Sequence, residues 1–206
     1  MHGILIFGDS ITFGRGDQKK GGWSGRLKEY FEKQAYHNTI YPLGIGGNTS
    51  EDILNRIDAE ANVRIKKKKK RYILIISVGI NDSKLTKEGK PLAIDEKQFR
   101  KNILQLITKA KKYTKDIIFT GIAPIDEKAV QKVFDFVLTN KRVTQYNNII
   151  RDVCEGKEIP FLDMHKKLLT TNYKKHLPDG LHPNSKGYDI MYKLIKEFLI
   201  KNKIIK

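Results

Sequence analysis

The stretch that decides the fold is ILIFGDSIT, residues 4–12. Its first four residues are apolar and are followed by glycine, which is typical of a short buried strand. Gly8 allows a sharp turn at the end of this strand. Ser10 then lies just beyond the strand's carboxyl end, the edge at which ligands bind in open α/β sheets. Ser10 is therefore either a nucleophile or an ordinary turn or N-cap serine.

Outward from this stretch, strand patterns alternate with helical patterns along the chain. The predicted strands are Ile4–Phe7, Asn38–Leu43, Tyr72–Val78, Asp116–Gly121 and Ile159–Leu162. The predicted helices are Trp23–Ala35, one capped by Thr49 or Ser50, about Asp95–Tyr113, about Asn140–Glu155, Met164–Leu169 and one from Asn184 or Ser185. Residues 12–22 are predicted to be a loop, and residues 124–137 have no clear pattern.

This alternation predicts a parallel sheet with helices on both faces. The third strand is apolar almost throughout, as expected when both faces of a parallel sheet are covered. We therefore expect an α/β fold, a three-layer α/β/α sandwich. Its five-stranded, doubly wound parallel sheet would have the flavodoxin-like order 2-1-3-4-5. The length of 206 residues and the absence of repeats or linkers favour one domain over residues 1–206.

The chain is strongly basic, with a formal charge of +17 from 40 Lys and Arg against 23 Asp and Glu. Lysines lie on every predicted helix, which favours a compositional bias over a specific nucleic-acid site. The densest cluster, residues 66–71, is predicted to be a solvated loop. Without a signal-peptide pattern or a run long enough to span a membrane, we expect a cytoplasmic protein. The single cysteine, Cys154, is predicted to be packed.

Polar residues follow the predicted strands at positions that suit acyl transfer. Ser10 follows the first strand, Gly47 the second and Asn81 the third, and Asp179 and His182 follow the fifth. Parallel strands end at one edge of a sheet, so these residues can converge on one cleft. A serine nucleophile needs a base, and His182 can be that base with Asp179 as its partner. The backbone N–H groups of Ser10 and Gly47 and the Asn81 amide can stabilise an oxyanion.

Four motifs resemble the signature blocks of the SGNH hydrolases, also called the GDSL esterase/lipase family. They are GDSIT at residues 8–12, GGNT at 46–49, GIND at 79–82 and DGLHP at 179–183. The second block departs from the family's frequent Ser-Gly-Asp but keeps its glycine. The resemblance implies a five-stranded α/β fold, and an esterase, lipase, thioesterase or deacetylase without a metal or cofactor.

The resemblance also implies a role for each matching residue. Ser10 would be the nucleophile and an oxyanion donor, and Gly47 and Asn81 would complete the oxyanion hole. His182 would be the general base, with Asp179 as its acidic partner. The function predicted on this basis is a serine hydrolase that cleaves a small-molecule carboxylic ester through an acyl-enzyme intermediate.

The alternative is a non-catalytic binding module on the same fold that recognises acylated sugars or anionic polymers. Binding alone does not require all five polar residues, which favours the enzyme. Asp9 and Asp82 are predicted to hold loops through bonds to backbone N–H groups. Apolar residues of the segment 125–139 either line an acyl pocket or belong to the core. They are Val130, Val133, Phe134, Phe136 and Val137.

Overall fold

The fold is seen in a computed structural model, which describes residues 2–66 and 71–205. Within these ranges, five parallel strands form a sheet in the order 2-1-3-4-5, as predicted. The strands are β1 His2–Gly8, β2 Thr39–Gly44, β3 Arg71–Ser77, β4 Asp116–Thr120 and β5 Phe161–Leu162. Residues 72–76 of the central strand are all buried, which explains its continuous apolar sequence.

Helices cover both faces of the sheet and complete the predicted three layers. They are α1 Ser10–Phe13, α2 Gly22–Glu32, α3 Ser50–Arg64, α4 Glu96–Lys111, α5 Glu127–Val133, α6 Asn140–Gly156, α7 Met164–Leu169 and α8 Ser185–Lys201, with a 3-10 helix at Tyr173–His176. Helices α3, α4 and α6 pack side by side in one layer, and α2, α7 and α8 pack in the other. Within the described residues, no helix has the length and apolar character needed to cross a membrane.

Local sequence explains where the long helices begin. Thr49 and Asp52 form a capping box at the start of α3, in which the Asp52 carboxylate accepts the Thr49 backbone N–H at 2.8 Å. Asp95 caps α4 and Asn184 caps α8 with side-chain oxygens. The predicted capping at residues 49–52 and the predicted start of the last helix at Asn184 or Ser185 are therefore confirmed.

Short elements differ from the sequence prediction. The predicted loop over residues 12–22 is wrong at its start, because α1 extends to Phe13. Asp9 caps this helix, and Gly14, at φ +89°, ends it. A four-residue helix shows no periodicity that sequence analysis can detect. β5 is two residues rather than four because Pro160 has no N–H and the Ile159 N–H donates to a carbonyl of α6 at 2.8 Å.

Other segments gain a defined structure. The unassigned residues 124–137 contain α5, whose N-cap is Asp126. Cys154 is buried, as predicted. Residues 67–70 of the predicted lysine loop lie outside the described residues, and Arg71 already belongs to β3, where its guanidinium bonds twice to the Asp116 carboxylate at 2.7 and 2.8 Å.

The crossing between α1 and the end of β2 leaves no room for a side chain at Gly44. A Cβ there would lie 2.3 Å from the backbone nitrogen of Phe13, whereas a Cβ on Gly46 would meet nothing within 4 Å. We expect Gly44→Ala to lower the free energy of unfolding by about 2 to 3 kcal/mol through overpacking. Gly46→Ala is the matched control and should stay within about 0.5 kcal/mol of the parent protein. Urea unfolding measures both, and equal effects of the two substitutions would contradict the packing argument.

Candidate active site

Ser10 lies at the carboxyl edge of the sheet, in the first turn of α1. β1 ends at Gly8, where a Cβ would lie 2.1 Å from Thr12 Oγ1, so the chain turns where no side chain fits. The Asp9 carboxylate accepts a backbone N–H of α1 at 2.9 Å and fixes the turn. Ser10 Oγ is then 2.9 Å from Nε2 of His182, which is 172 positions away in sequence.

The loop before α8 holds His182 against an acidic side chain. Asp179 Oδ2 lies 2.7 Å from His182 Nδ1, and Asp179 Oδ1 accepts the backbone N–H groups of Leu181 at 2.9 Å and His182 at 2.7 Å. With Nδ1–H donating to the carboxylate, Nε2 is left to accept the Ser10 hydroxyl proton. The structure therefore brings together the three residues predicted as nucleophile, base and acidic partner.

The electrostatics of this chain favour a neutral imidazole and an ionised carboxylate. Burial lowers the pKa of His182 below its ordinary value and outweighs the raising effect of Asp179. Burial raises the pKa of Asp179, but hydrogen bonds from His182 and from the Leu181 backbone outweigh it, so the net pKa lies below the ordinary value. A neutral imidazole at neutral pH is the form that can take a proton from a hydroxyl.

The predicted oxyanion donors lie in two neighbouring loops. Asn81 is buried, and its Nδ2 donates to the backbone carbonyl of Asn48 at 2.9 Å, which fixes the plane of an amide that carries two N–H groups. In the glycine-rich loop, Gly44 is packed against backbone, whereas a Cβ on Gly46 or Gly47 would meet nothing within 4 Å. Gly47 thus borders open space, and its role as a donor stays a prediction.

The comparisons with known proteins agree with this arrangement of strands and loops. A model of the GDSL-like lipase/acylhydrolase family matches residues 6–190. The chain belongs to this family. A search among curated proteins found no match to the sequence.

Solved structures share the fold of this GDSL family member along nearly the whole chain. The lipase/acylhydrolase from Enterococcus faecalis is 20% identical with a TM-score of 0.76, covering 100% of this chain and 98% of that chain. A variant of Axe2, an acetyl xylan esterase from Geobacillus stearothermophilus, is 18% identical with a TM-score of 0.72, covering 96% and 94%. A lipolytic G-D-S-L protein from Veillonella parvula is 20% identical with a TM-score of 0.72, covering 96% and 97%. At these identities the similarity shows the fold alone.

A half-buried arginine that lies outside the GDSL motifs supports the site, and sequence analysis missed it. Arg56 of α3 donates from Nε to Asn48 Oδ1 at 2.8 Å, and from Nη2 to the carbonyls of Leu43 at 2.7 Å and Gly8 at 3.1 Å. One guanidinium therefore joins the ends of β1 and β2 to Asn48, whose backbone carbonyl accepts the hydrogen bond from the Asn81 amide. In the sequence, Arg56 is distinguished only as a charged residue next to the apolar positions of α3.

A second polar network holds the start of α3. The Asp82 carboxylate accepts the Ser50 backbone N–H at 2.9 Å and the Ser50 hydroxyl at 2.6 Å, and Asn102 donates to that hydroxyl oxygen at 2.9 Å. The prediction that Asp9 and Asp82 hold loops through backbone N–H groups is confirmed. The contributions of Ser50 and Asn102 were missed because polar residues on amphipathic helices are typical of solvent-facing positions.

The site offers no metal-binding cluster in the part of the chain that the structure describes, where no three His, Cys, Asp or Glu side chains group suitably. The buried His165 contacts the Thr144 hydroxyl at 3.1 Å instead. His182 is engaged with Ser10 and Asp179.

Burial raises the pKa of Asp9 to about 6, above its ordinary value of 3.8. The folded chain holds this proton up to about pH 6, whereas the unfolded chain releases it near pH 4. The contribution of protonated Asp9 to the free energy of unfolding is therefore fully present below pH 4 and is lost as pH rises through 6. Asp9→Asn keeps the capping oxygen and removes the charge. We expect the unfolding free energy of the parent protein, relative to Asp9→Asn, to fall by about 1 to 3 kcal/mol between pH 4 and pH 7.5.

Urea unfolding of both proteins at the two pH values measures this difference, because the other titrating groups largely cancel. If the difference in unfolding free energy between the parent protein and Asp9→Asn does not change with pH, burial does not raise the pKa of Asp9.

Proposed function

We propose that the protein is a serine hydrolase that cleaves small-molecule carboxylic esters, with Ser10 as nucleophile, His182 as general base and Asp179 as its partner. The observation that carries the proposal is the chain of short contacts from Ser10 Oγ to His182 Nε2 at 2.9 Å and from His182 Nδ1 to Asp179 at 2.7 Å. Nucleophile, base and orienting carboxylate in this sequence are what acyl transfer at a serine requires.

The mechanism derived from this geometry has two halves. Ser10 Oγ attacks the ester carbonyl carbon while its proton passes to His182 Nε2, and the carbonyl oxygen takes the negative charge. Asp179 stabilises the imidazolium that forms. Collapse of the tetrahedral species breaks the bond to the leaving-group oxygen, which takes the proton from His182. Water then attacks the acyl-enzyme with His182 again as base, which releases the acid and restores the Ser10 hydroxyl.

The oxyanion hole in this proposal is formed by the Ser10 and Gly47 backbone N–H groups and the Asn81 amide. The Asn81 bond to Asn48 supports the assignment, because an amide fixed before the reaction costs no reorganisation during it. The reaction balances with ester and water alone, so we propose no cofactor. We also propose that residues 1–206 act as one catalytic domain. Cytoplasmic location stays a prediction from the sequence.

Structural relatives support the assignment of roles. Among the similar structures are three catalytic mutants of Axe2, in which a serine, an aspartate and a histidine are replaced by alanine. The aspartate and histidine are three positions apart in that enzyme, the same spacing as Asp179 and His182 here. The family membership over residues 6–190 supports an acylhydrolase more generally.

Ser10→Ala should lower kcat for p-nitrophenyl esters by roughly 10⁴- to 10⁶-fold, because it removes the nucleophile. Esters from acetate to palmitate give the rates, and labelling by a fluorophosphonate probe followed by peptide mapping locates the reactive serine. Ser185→Ala is the control, since that hydroxyl bonds to Arg26 outside the site. Full activity in Ser10→Ala would overturn the proposal. If the parent protein neither hydrolyses these esters nor reacts with the probe, the result would favour the non-catalytic binding module.

The pH dependence tests the role of His182. Because only neutral imidazole accepts the serine proton, kcat/KM should rise with pH and level off after an inflection below 6.5, given the lowered pKa of His182. Asp179→Asn should cost up to about 10⁴-fold in kcat. This substitution should also move the inflection of kcat/KM to lower pH, since the Asp179 carboxylate raises the pKa of His182.

The profile is repeated in Asp9→Asn, because Asp9 itself has a pKa of about 6. An inflection that disappears with Asp9→Asn would assign the titration to Asp9 rather than to His182.

A further inference from the structure

Two loops beside the candidate site are joined into one unit, which we call the clasp (residues 84–91 and 134–138). Leu85 and Val137 exchange two backbone hydrogen bonds of 2.8 and 2.9 Å. The Lys87 and Asp135 side chains form an ion pair across the same junction. Arg142 of α6 donates to the carbonyl of Ser83 at 3.0 Å, next to the clasp. The clasp thus connects the loop that follows β3, which carries Asn81, to the segment after α5.

The clasp presents an aromatic wall to the catalytic histidine. The Phe134 ring lies 6.1 Å from the His182 ring at an interplanar angle of 63°. Phe136 stacks on Phe134 at 5.0 Å and 20°. Both rings are half-buried, whereas Val130 is core and Val133 is 56% exposed. Because Phe134 lies beside the His182 ring and Phe136 stacks on Phe134, these two phenylalanines are the ones we expect to meet a substrate.

A lysine completes this wall. Lys84 Nζ lies 4.1 Å from the centroid of the Phe136 ring, a cation–π contact that holds the ammonium over the aromatic face. Lys84 is half-buried, and within the described ranges no carboxylate lies within 4.0 Å of its Nζ. The acid that acts on it is Asp9, at longer range. Its positive charge and that of Arg15 both act on His182.

We propose that the clasp is the leaving-group subsite, and that it selects esters whose flat apolar leaving group carries an anionic substituent, a carboxylate or a phosphate. This inference rests on the proposed function, in which His182 returns its proton to the leaving-group oxygen. A leaving group at His182 therefore lies beside Phe134 and Phe136. Stacking on the two rings orients it, and Lys84 pairs with its charge in a partly desolvated position.

The test compares para-acetoxybenzoate with its neutral methyl ester, both cleaved at the same acetyl ester. Each kcat/KM is divided by the rate of hydrolysis by hydroxide to remove intrinsic reactivity. We expect the parent protein to prefer the anion by roughly five- to tenfold, and added salt to weaken the preference. Lys84→Gln should bring the ratio of normalised kcat/KM, anionic over neutral ester, near one. Lys84→Arg should retain the preference for the anionic ester. Lys97→Gln, which removes an equal charge from an exposed position of α4, should leave the ratio as in the parent protein.

The outcomes separate this inference from the proposed function. Ser10-dependent hydrolysis of both esters with equal normalised rates would overturn the subsite and leave the serine hydrolase intact. A preference for an anionic acyl group, seen with p-nitrophenyl hemisuccinate over the butyrate, would also overturn it.

If neither ester is cleaved, ligand-observed NMR with para-hydroxybenzoate tests the clasp without catalysis. Binding that Lys84→Gln abolishes would support the subsite, and absence of binding would overturn it.

Discussion

The close approach of backbone at the ends of β1 and β2 is the constraint on which the site depends. Gly8 pairs in register with Gly44 on one side and Ser77 on the other. A Cβ on Gly8 would lie 2.7 Å from the Ser77 carbonyl, and one on Gly44 would lie 2.3 Å from a backbone nitrogen of α1. Because backbone fills this space, Ser10 and the loop over residues 45–48 lie against the same edge. A larger residue at either glycine would separate them.

Half-buried Arg56 and buried Asp82 hold the loop between β2 and α3 where it enters α3. Arg56 bonds to Asn48, and Asp82 bonds to Ser50. Burial lowers the pKa of Arg56 and raises that of Asp82, which is the electrostatic cost of placing these groups inside the protein. Their several hydrogen bonds offset this cost and fix a loop that contains Gly46-Gly47, a sequence with high backbone freedom. The fixed carbonyl of Asn48 in turn orients the Asn81 amide. These hydrogen bonds therefore give the glycine-rich loop one defined conformation beside Asn81.

The sequence predicts those features that are repeated over many residues or marked by distinctive chemistry. Strand order followed from long apolar segments, whereas α1 and the length of β5 depend on single residues, Asp9 and Pro160, whose effects are local. Ser10 was predicted as a nucleophile because three further motifs follow it in order after the other strands, since a lone serine after a strand is typical of a turn or an N-cap. Arg56 and Asn102 could not be identified, since helical periodicity does not separate a buried hydrogen-bonded side chain from a solvent-facing one. The oxyanion donors stay predictions because their function depends on a substrate.

The charges around Ser10 explain why a cation belongs beside this site. Asp9 is ionised above its pKa of about 6 and is the neighbour of Ser10 in sequence, so its field opposes negative charge that develops at Ser10. Burial raises the pKa of Asp9 and lowers that of Lys84, and each of the two charges partly opposes the shift of the other, so each stabilises the charged form of its neighbour. Asp9 is buried, whereas Lys84 is half-buried over the Phe136 ring. Under the proposed mechanism, Lys84 offsets the repulsion that the buried Asp9 imposes on both the oxyanion and an anionic leaving group.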